Sequence, residues 1–276
     1  MKKILFTLIA VLAVVVALFT MVACSSKTIT IMAEAGSAGE DLAKEYAEKI
    51  SDSEYIQAQA QRDVLTELIA KTADIGFIDS IMANYYINTE GSTFAGKLEV
   101  VDVEAEEETY AIGFRKADVY LTQKVNKALY DLQEDGTIGT IAAKYGLTNS
   151  LITFEEPTVD ETLDKSSFTY IATKGEMIIG YTLFAPIAYE DENKTLIGFD
   201  TDVAKAVCAK LGVTAKFQEI DWNTKEVELN AKNIDAIWNG MTKTEERAEN
   251  MSLSASYLKN AQVAVVRKGE SKLLNK

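Results

Sequence analysis

The sequence predicts an α/β protein of two lobes, each a mostly parallel sheet flanked by helices. Three observations carry that class. Apolar runs of strand length alternate with segments of helical periodicity along 28–267. The alternation occurs twice. Between the two occurrences, 146–168 holds Pro157, Ser, Thr and acidic residues without a period, and it reads as a linker.

The elements follow in order. Thr28 to Met32 alternates like a strand, and the turn Gly36-Ser-Ala-Gly39 opens a helix through about Ile50. A strand near Tyr55 to Ala58 precedes a helix from about Arg62 to Lys71. The apolar run Asp74 to Ile78 is a buried-type strand, which ends at Asp79 before another helix. After Tyr110 to Phe114, the residues Leu121, Val125, Ala128, Leu129 and Leu132 share one helical face, and Gly136 separates this helix from a second, short one. The second round has strands at Met177 to Gly180, Thr214 to Glu219 and Ile234 to Trp238, with helices over 199–211 and about 223–232. Val263 to Val266 is read as the strand that closes it, and 268–276 as a polar tail.

Composition narrows the function. The net charge of −14 argues against a nucleic-acid partner, which needs Lys and Arg clusters to meet phosphates. The chain has no histidine, which removes the commonest general base and metal ligand together with Ser-His and Cys-His pairs. No metal, cofactor or catalytic residue is expected. Cys208 adjoins the apolar stripe Phe199, Val203, Ala206, Val207 and Leu211 and reads as a small packing residue, so no disulfide is expected.

The first residues carry an address. Lys2 and Lys3 precede an apolar run from Ile4 to about Phe19, and Met21-Val-Ala-Cys24 places small residues before a cysteine. This layout resembles a bacterial lipoprotein signal, with Met21 where such signals usually carry Leu. The resemblance implies a signal peptide over 1–23, lipidation of Cys24, a tether over 24–27, and a folded body on the outer face of the cell membrane. A transmembrane anchor is the competing reading, and it places the body on the same side.

Four motifs in the second half identify a family. Phe184-Ala-Pro-Ile187, the run from Gly198 to Gly212 around Phe199-Asp-Thr-Asp202, Asp221-Trp-Asn223, and Ile234-Asp-Ala-Ile-Trp-Asn-Gly-Met-Thr-Lys-Thr-Glu-Glu-Arg247 occur in sequence. They resemble the amino-acid-binding solute-binding proteins of ABC importers, which have a type II periplasmic-binding-protein fold; Ile187 departs from the usual aromatic. Gly36 to Glu40, Ala73 to Asp79, Ala83 to Tyr86, Tyr110 to Arg115 and Asp131 to Gly136 resemble the same family's second lobe and C-terminal helices. In the family these follow the Arg motif, and here they precede it, which implies a circular permutation. On this reading 28–107 is the small lobe, 108–112 the hinge crossover and 113–267 a continuous large lobe, with the old termini joined by 146–168. The other hinge strand would be cut between about Arg267 and Lys27, with those ends close together.

The resemblance also implies a site and a task. A free amino acid presents a carboxylate and an ammonium on one carbon, which call for a planar cationic fork and a carboxylate. Arg247 would supply the fork, Thr242 a hydroxyl and an N–H, and Ser37 and Ala38 the N–H donors of a helix start. Asp79 would oppose the ammonium, which the Gly240 carbonyl could also receive. Phe184 and Trp222 would flank the ligand side chain, with Asn239 within its pocket. Each has a plainer alternative: a surface pair with Glu245 or Glu246 for Arg247, a helix cap for Asp79 and Ser37, core packing for the aromatics. A few charge-assisted bonds of roughly 1.5–3 kcal/mol each suit a dissociation constant near micromolar, about −8 kcal/mol. The expected protein is a monomeric, lipid-anchored receptor, not an enzyme, that hands an amino acid to an ABC-type permease. A ligand sensor without transport and a dehydratase-like enzyme are the alternatives.

Gly91 to Lys97 imitates a phosphate loop, but Leu98 stands where Ser or Thr is required. Ser256-Tyr-Leu-Lys259 lacks the partner motifs of Ser-x-x-Lys enzymes. The acidic run Glu104 to Glu108 reads as a solvated approach to the hinge.

Overall fold

The computed structural model describes residues 28–89 and 91–275; the signal, tether and Cys24 readings fall on residues outside these. The first lobe runs β1 (Ile29–Glu34), α1 (Ala38–Lys49), β2 (Ser53–Ala58), α2 (Gln61–Ala70), β3 (Ile75–Asp79), α3 (Ser80–Asn88) and β4 (Leu98–Val101). Ile29, Ile31 and Ala33 alternate along β1 and bury one face against Phe77 and Ala43, as a period of two requires. Gly76 is a close-approach position: a Cβ there would lie 2.3 Å from Val64 Cγ1, so a bare backbone lets α2 lie flat on β3. That packing brings the start of α2 beside Asp79.

The chain then crosses through β5 (Glu108–Tyr110) into the second lobe. This lobe holds β6 (Gly113–Arg115), α4 (Val119–Glu134), α5 (Thr137–Lys144), α6 (Ser166–Lys174), β7 (Glu176–Tyr181) and the hairpin β8 (Tyr189–Glu190) with β9 (Leu196–Ile197). It continues with α7 (Phe199–Leu211), β10 (Thr214–Glu219), α8 (Lys225–Asn230), β11 (Ala236–Ile237), α9 (Glu245–Asn250) and β12 (Met251–Leu253). The expected stripe on α4 is buried in one cluster with Phe199, Val203 and Val207 of α7. Cys208 is free and buried, and burial pushes its thiol up to about 12. Finally β13 (Leu258–Asn260) returns to the first lobe, where β14 (Gln262–Arg267) lies.

Both sheets have five strands and one plan. The orders are β2-β1-β3-β14-β4 and β10-β7-β11-β6-β12. In each, three strands pair in parallel and a fourth, inserted antiparallel, follows directly on a crossover strand, β14 on β13 and β6 on β5. The fold class is the expected one, a two-lobed mixed α/β architecture of the type II periplasmic-binding-protein kind.

The lobe boundaries differ from the sequence reading. The large lobe was expected to run unbroken over 113–267, but β14 pairs antiparallel with β3 and β4 of the first lobe. Its apolar run marks a strand, while the choice of sheet rests on partners far along the chain. The second hinge strand is accordingly not cut: β5 and β13 pair antiparallel, so two chain segments cross side by side. Ile75 is the register partner of both Ile31 and Val266, which sets the two ends of the body in one sheet with a single strand between them. The linker expected over 146–168 contains a short 3-10 turn at Thr148–Ser150, and α6 begins inside it at Ser166.

Candidate functional site

The carboxyl ends of both parallel strand sets face one cleft, as is usual for ligand sites in such sheets. A cavity lies there, with about 350 Å³ of space not filled by atoms, its open mouth included. All the sequence-predicted ligand residues line it.

Arg247 is placed by its own helix start. Thr244 caps α9, its hydroxyl accepting from the Arg247 N–H at 3.2 Å. The buried guanidinium then donates to the Thr242 carbonyl at 2.6 Å and, across the cleft, to the Gly36 carbonyl at 3.2 Å. It is therefore not a surface pair with Glu245 or Glu246. Thr242 sits on the wall next to the hinge and donates its hydroxyl to Glu108 at 3.1 Å.

Asp79 ends β3 in the opposite wall and is buried. It occupies the cap position of α3, but its side chain does not cap. The carboxylate instead accepts from Gln61 and Asn260, from the Tyr110 hydroxyl at 2.8 Å, and from Gln262 at 3.0 Å. Burial, and then the nearby Glu108, push its pKa up to about 6. The guanidinium thus holds carbonyls and the carboxylate holds neutral donors; in the closed protein these two charges of opposite sign are not spent on one another.

Ser37 and Ala38 open α1 at the cavity edge. The Ser37 hydroxyl donates to the Glu34 carbonyl at 2.7 Å and accepts from the Glu40 N–H at 3.2 Å, and Glu40 reaches back to the Gly36 N–H at 2.7 Å. Hydrogen bonds from Gln57 and that Gly36 N–H outweigh the effect of burial and lower Glu40 to about 2. Ser37 is a cap as well as a wall residue.

Gly240 has φ +60, and a Cβ there would meet Phe184 Cε1 at 2.8 Å and Tyr110 Cε2 at 3.0 Å. Only glycine lets the two rings approach, edge to face, at 6.3 Å between centroids. Its N–H donates to Asp200 at 2.7 Å. Phe184 and Trp222 are buried against the cavity, and the Lys225 ammonium lies 4.9 Å from the Trp222 ring centre. Asn239 donates to the Thr182 hydroxyl at 2.8 Å.

Sequence reasoning missed three residues that shape this site: Glu34 and Gln61 in the lining, and Glu108 on the crossover. The signal for Glu34 was present, since β1, like β3, is an apolar strand that ends in an acid.

Comparison with known proteins agrees with this construction. Residues 177–276 match the model of a family described as bacterial extracellular solute-binding proteins, family 3. The motif resemblance is thus confirmed over that segment. A probable amino-acid ABC transporter-binding protein of Haemophilus influenzae (strain ATCC 51907 / DSM 11121 / KW20 / Rd) is 27% identical over 115 residues, 42% of each chain. The arginine-binding extracellular protein ArtP of Bacillus subtilis (strain 168) is 33% identical over 85 residues, 30% of this chain and 33% of that one. Among solved structures, an ABC uptake transporter substrate-binding protein from Streptococcus pneumoniae with bound histidine is 38% identical, with 33% of this chain and 37% of that one covered at a TM-score of 0.32. The matched part spans less than half the length of these relatives.

Proposed function

We propose that this protein is a lipid-anchored, extracytoplasmic receptor that closes two lobes on a free amino acid and delivers it, as a monomer, to an ABC-type permease. The observation that carries this reading is the joint presence of Arg247 and Asp79 in one cavity, one from each lobe, each buried and each hydrogen-bonded, among the described residues, to neutral partners. Such a pair fits the carboxylate and the ammonium of one zwitterion, and a ligand that touches both lobes stabilises the closed form over the open one. Relatives named for amino-acid transport and arginine binding support the ligand class.

The chain order supports a circular permutation within that family. The family match begins at 177, after β1 to β4 of the first lobe and α4 to α6 of the second, and a comparison that keeps linear order can align only one part of a rearranged chain. We read the protein as a binder rather than an enzyme, and product formed from an incubated candidate substrate would overturn that. The test of the whole reading is a thermal-shift screen of the twenty amino acids. A ligand at 100 times its dissociation constant adds about 2.7 kcal/mol of stability, and Arg247→Ala is expected to abolish the shift. No shift with any amino acid, or a full shift in the variant, refutes the assignment.

A further inference from the structure

Two carboxylates, not one, face the cavity from the first lobe. Glu34 ends β1 and Asp79 ends β3, and these strands are parallel neighbours, with Ile31 opposite Ile75 and Met32 opposite Gly76. Glu34 is 4% exposed and lines the cavity. A ligand ammonium opposed by Asp79 leaves the second carboxylate unanswered. Among the described residues the cation that acts on Glu34 is Lys225, which donates to the Gly36 carbonyl at 3.0 Å and the Trp222 carbonyl at 3.2 Å. Burial, followed by repulsion from Asp79, pushes Glu34 up to about 8, against the opposing pull of Lys225 and a hydrogen bond from Gln61.

The charge count points the same way. Glu34, Asp79 and Arg247 are the ionisable residues of the lining, and with both carboxylates ionised they leave a net of one negative charge. A zwitterion with a neutral side chain leaves this imbalance in place; one extra positive charge on the ligand removes it. Asn239 supplies a further acceptor in the lining: it is 2% exposed, and its Oδ1 has no donor among the described residues. Phe184 and Trp222 provide apolar faces for an aliphatic stem, and an aromatic face also attracts a cation.

We infer that the cavity selects amino acids with a cationic side chain, and that Glu34 is the counter-ion of that side chain. The inference rests on the amino-acid-receptor reading above and adds to it the class of ligand.

The test is calorimetric titration of the purified protein and of Glu34→Gln with arginine, lysine, citrulline, glutamine and glutamate. Citrulline has nearly the shape of arginine without its charge. A charge-assisted contact with a buried carboxylate is expected to favour arginine or lysine over citrulline and glutamine by about 30-fold. Glu34→Gln should bring the tighter of the two basic ligands to within about threefold of citrulline, and a cooperative melt of the variant shows that it folds. Citrulline, glutamine or glutamate bound by the unaltered protein as tightly as the basic ligands overturns the inference and leaves the receptor reading standing. So does a cationic preference that survives in Glu34→Gln. If none of the twenty amino acids binds, the receptor reading fails and this inference falls with it.

Discussion

The two lobes share a strand order and differ in charge. In the first, the carboxyl ends of β1 and β3 carry Glu34 and Asp79; in the second, the matching edge carries Arg247, Phe184 and Trp222. The same backbone plan thus presents acid on one side of the cleft and a cation with aromatic surface on the other. Neither edge alone opposes both charges of a zwitterion, so the division itself makes closure part of binding. The contrast extends to the acids within the first lobe. Glu40, at the start of α1, is hydrogen-bonded from several sides and lowered to about 2, whereas Asp79, buried in the cavity wall, is raised to about 6. One acid serves the fold and the other is held at a cost.

The largest effect is expected from removing either end of that charge division. Arg247→Ala and Asp79→Asn should each weaken amino-acid binding by about 100-fold or more, since each strips a buried charge-assisted contact. Their stabilities should separate. Asp79→Asn removes a buried carboxylate and, in denaturant titrations at pH 7, should cost under about 1 kcal/mol. Arg247→Ala leaves the Thr242 and Gly36 carbonyls without that donor and should cost about 1–3 kcal/mol. Asp79→Asn binding at the unaltered affinity would break the comparison.

Next comes Gly240→Ala. With φ +60 and two rings within 3.0 Å of the new methyl, strain and overpacking should together cost about 2–4 kcal/mol. Alanine tolerated there in a melting experiment would mean that the Phe184 and Tyr110 rings are not fixed as described.

The pH dependence is smaller and has opposite signs for folding and binding. Asp79, Asp200 and Glu34 have folded values raised by burial to about 6, 7 and 8, above their ordinary carboxylate values. Such groups bind protons more tightly when folded, so ligand-free stability should rise as pH falls from about 8.5 toward 5. Glu40, lowered to about 2, opposes this only once pH falls through the ordinary carboxylate range, near 4.5 and below. Binding needs Asp79 charged, so affinity for a ligand with a neutral side chain should fall by about tenfold per pH unit below about 6, while a cationic side chain also needs Glu34 charged and its advantage should already fade below about 8. Calorimetry with and without ligand across pH 5–8.5 checks both signs. Affinity that holds constant to pH 5 would remove Asp79 as the counter-ion.

Much of this was legible in the sequence, for identifiable reasons. Apolar periodicity located the strands and the buried stripe of α4, and the motifs placed Arg247, Asp79, Gly240 and the aromatics in one family pattern. The structure brings all of them to one cavity. What could not be read was partner choice. Val263 to Val266 has the pattern of a buried strand in either lobe, and only its pairing with β3 and β4 assigns it. Glu34 was passed over because an acid before a glycine turn also suits a solvated loop, and the neighbours that act on it, Asp79 and Gln61, are distant in sequence. Gln61 has no signature at all, because its place against Asp79 follows from α2 lying on Gly76.

The smallest expected effect tests how the two lobes came to be threaded in this order. Ile31 and Val266 flank one strand of the first sheet, so the present chain ends can be bridged by a short flexible linker with little entropy cost, which grows only slowly with linker length. The stretch between Ile152 and Lys165 holds exposed residues and no helix or strand, which makes it a tolerant place to open the chain. A variant joined at one point and opened at the other restores the order expected of the family while leaving every sheet pairing and cavity residue in place. It should melt within about 5 °C of the present chain, a difference of about 1–2 kcal/mol, and bind its ligand within about threefold. Success would show that the lobes, and not the order of their encoding, set the charge division across the cleft. Failure to fold would mean that the 146–168 region is more than a joint between old ends, and the permutation reading would have to be given up.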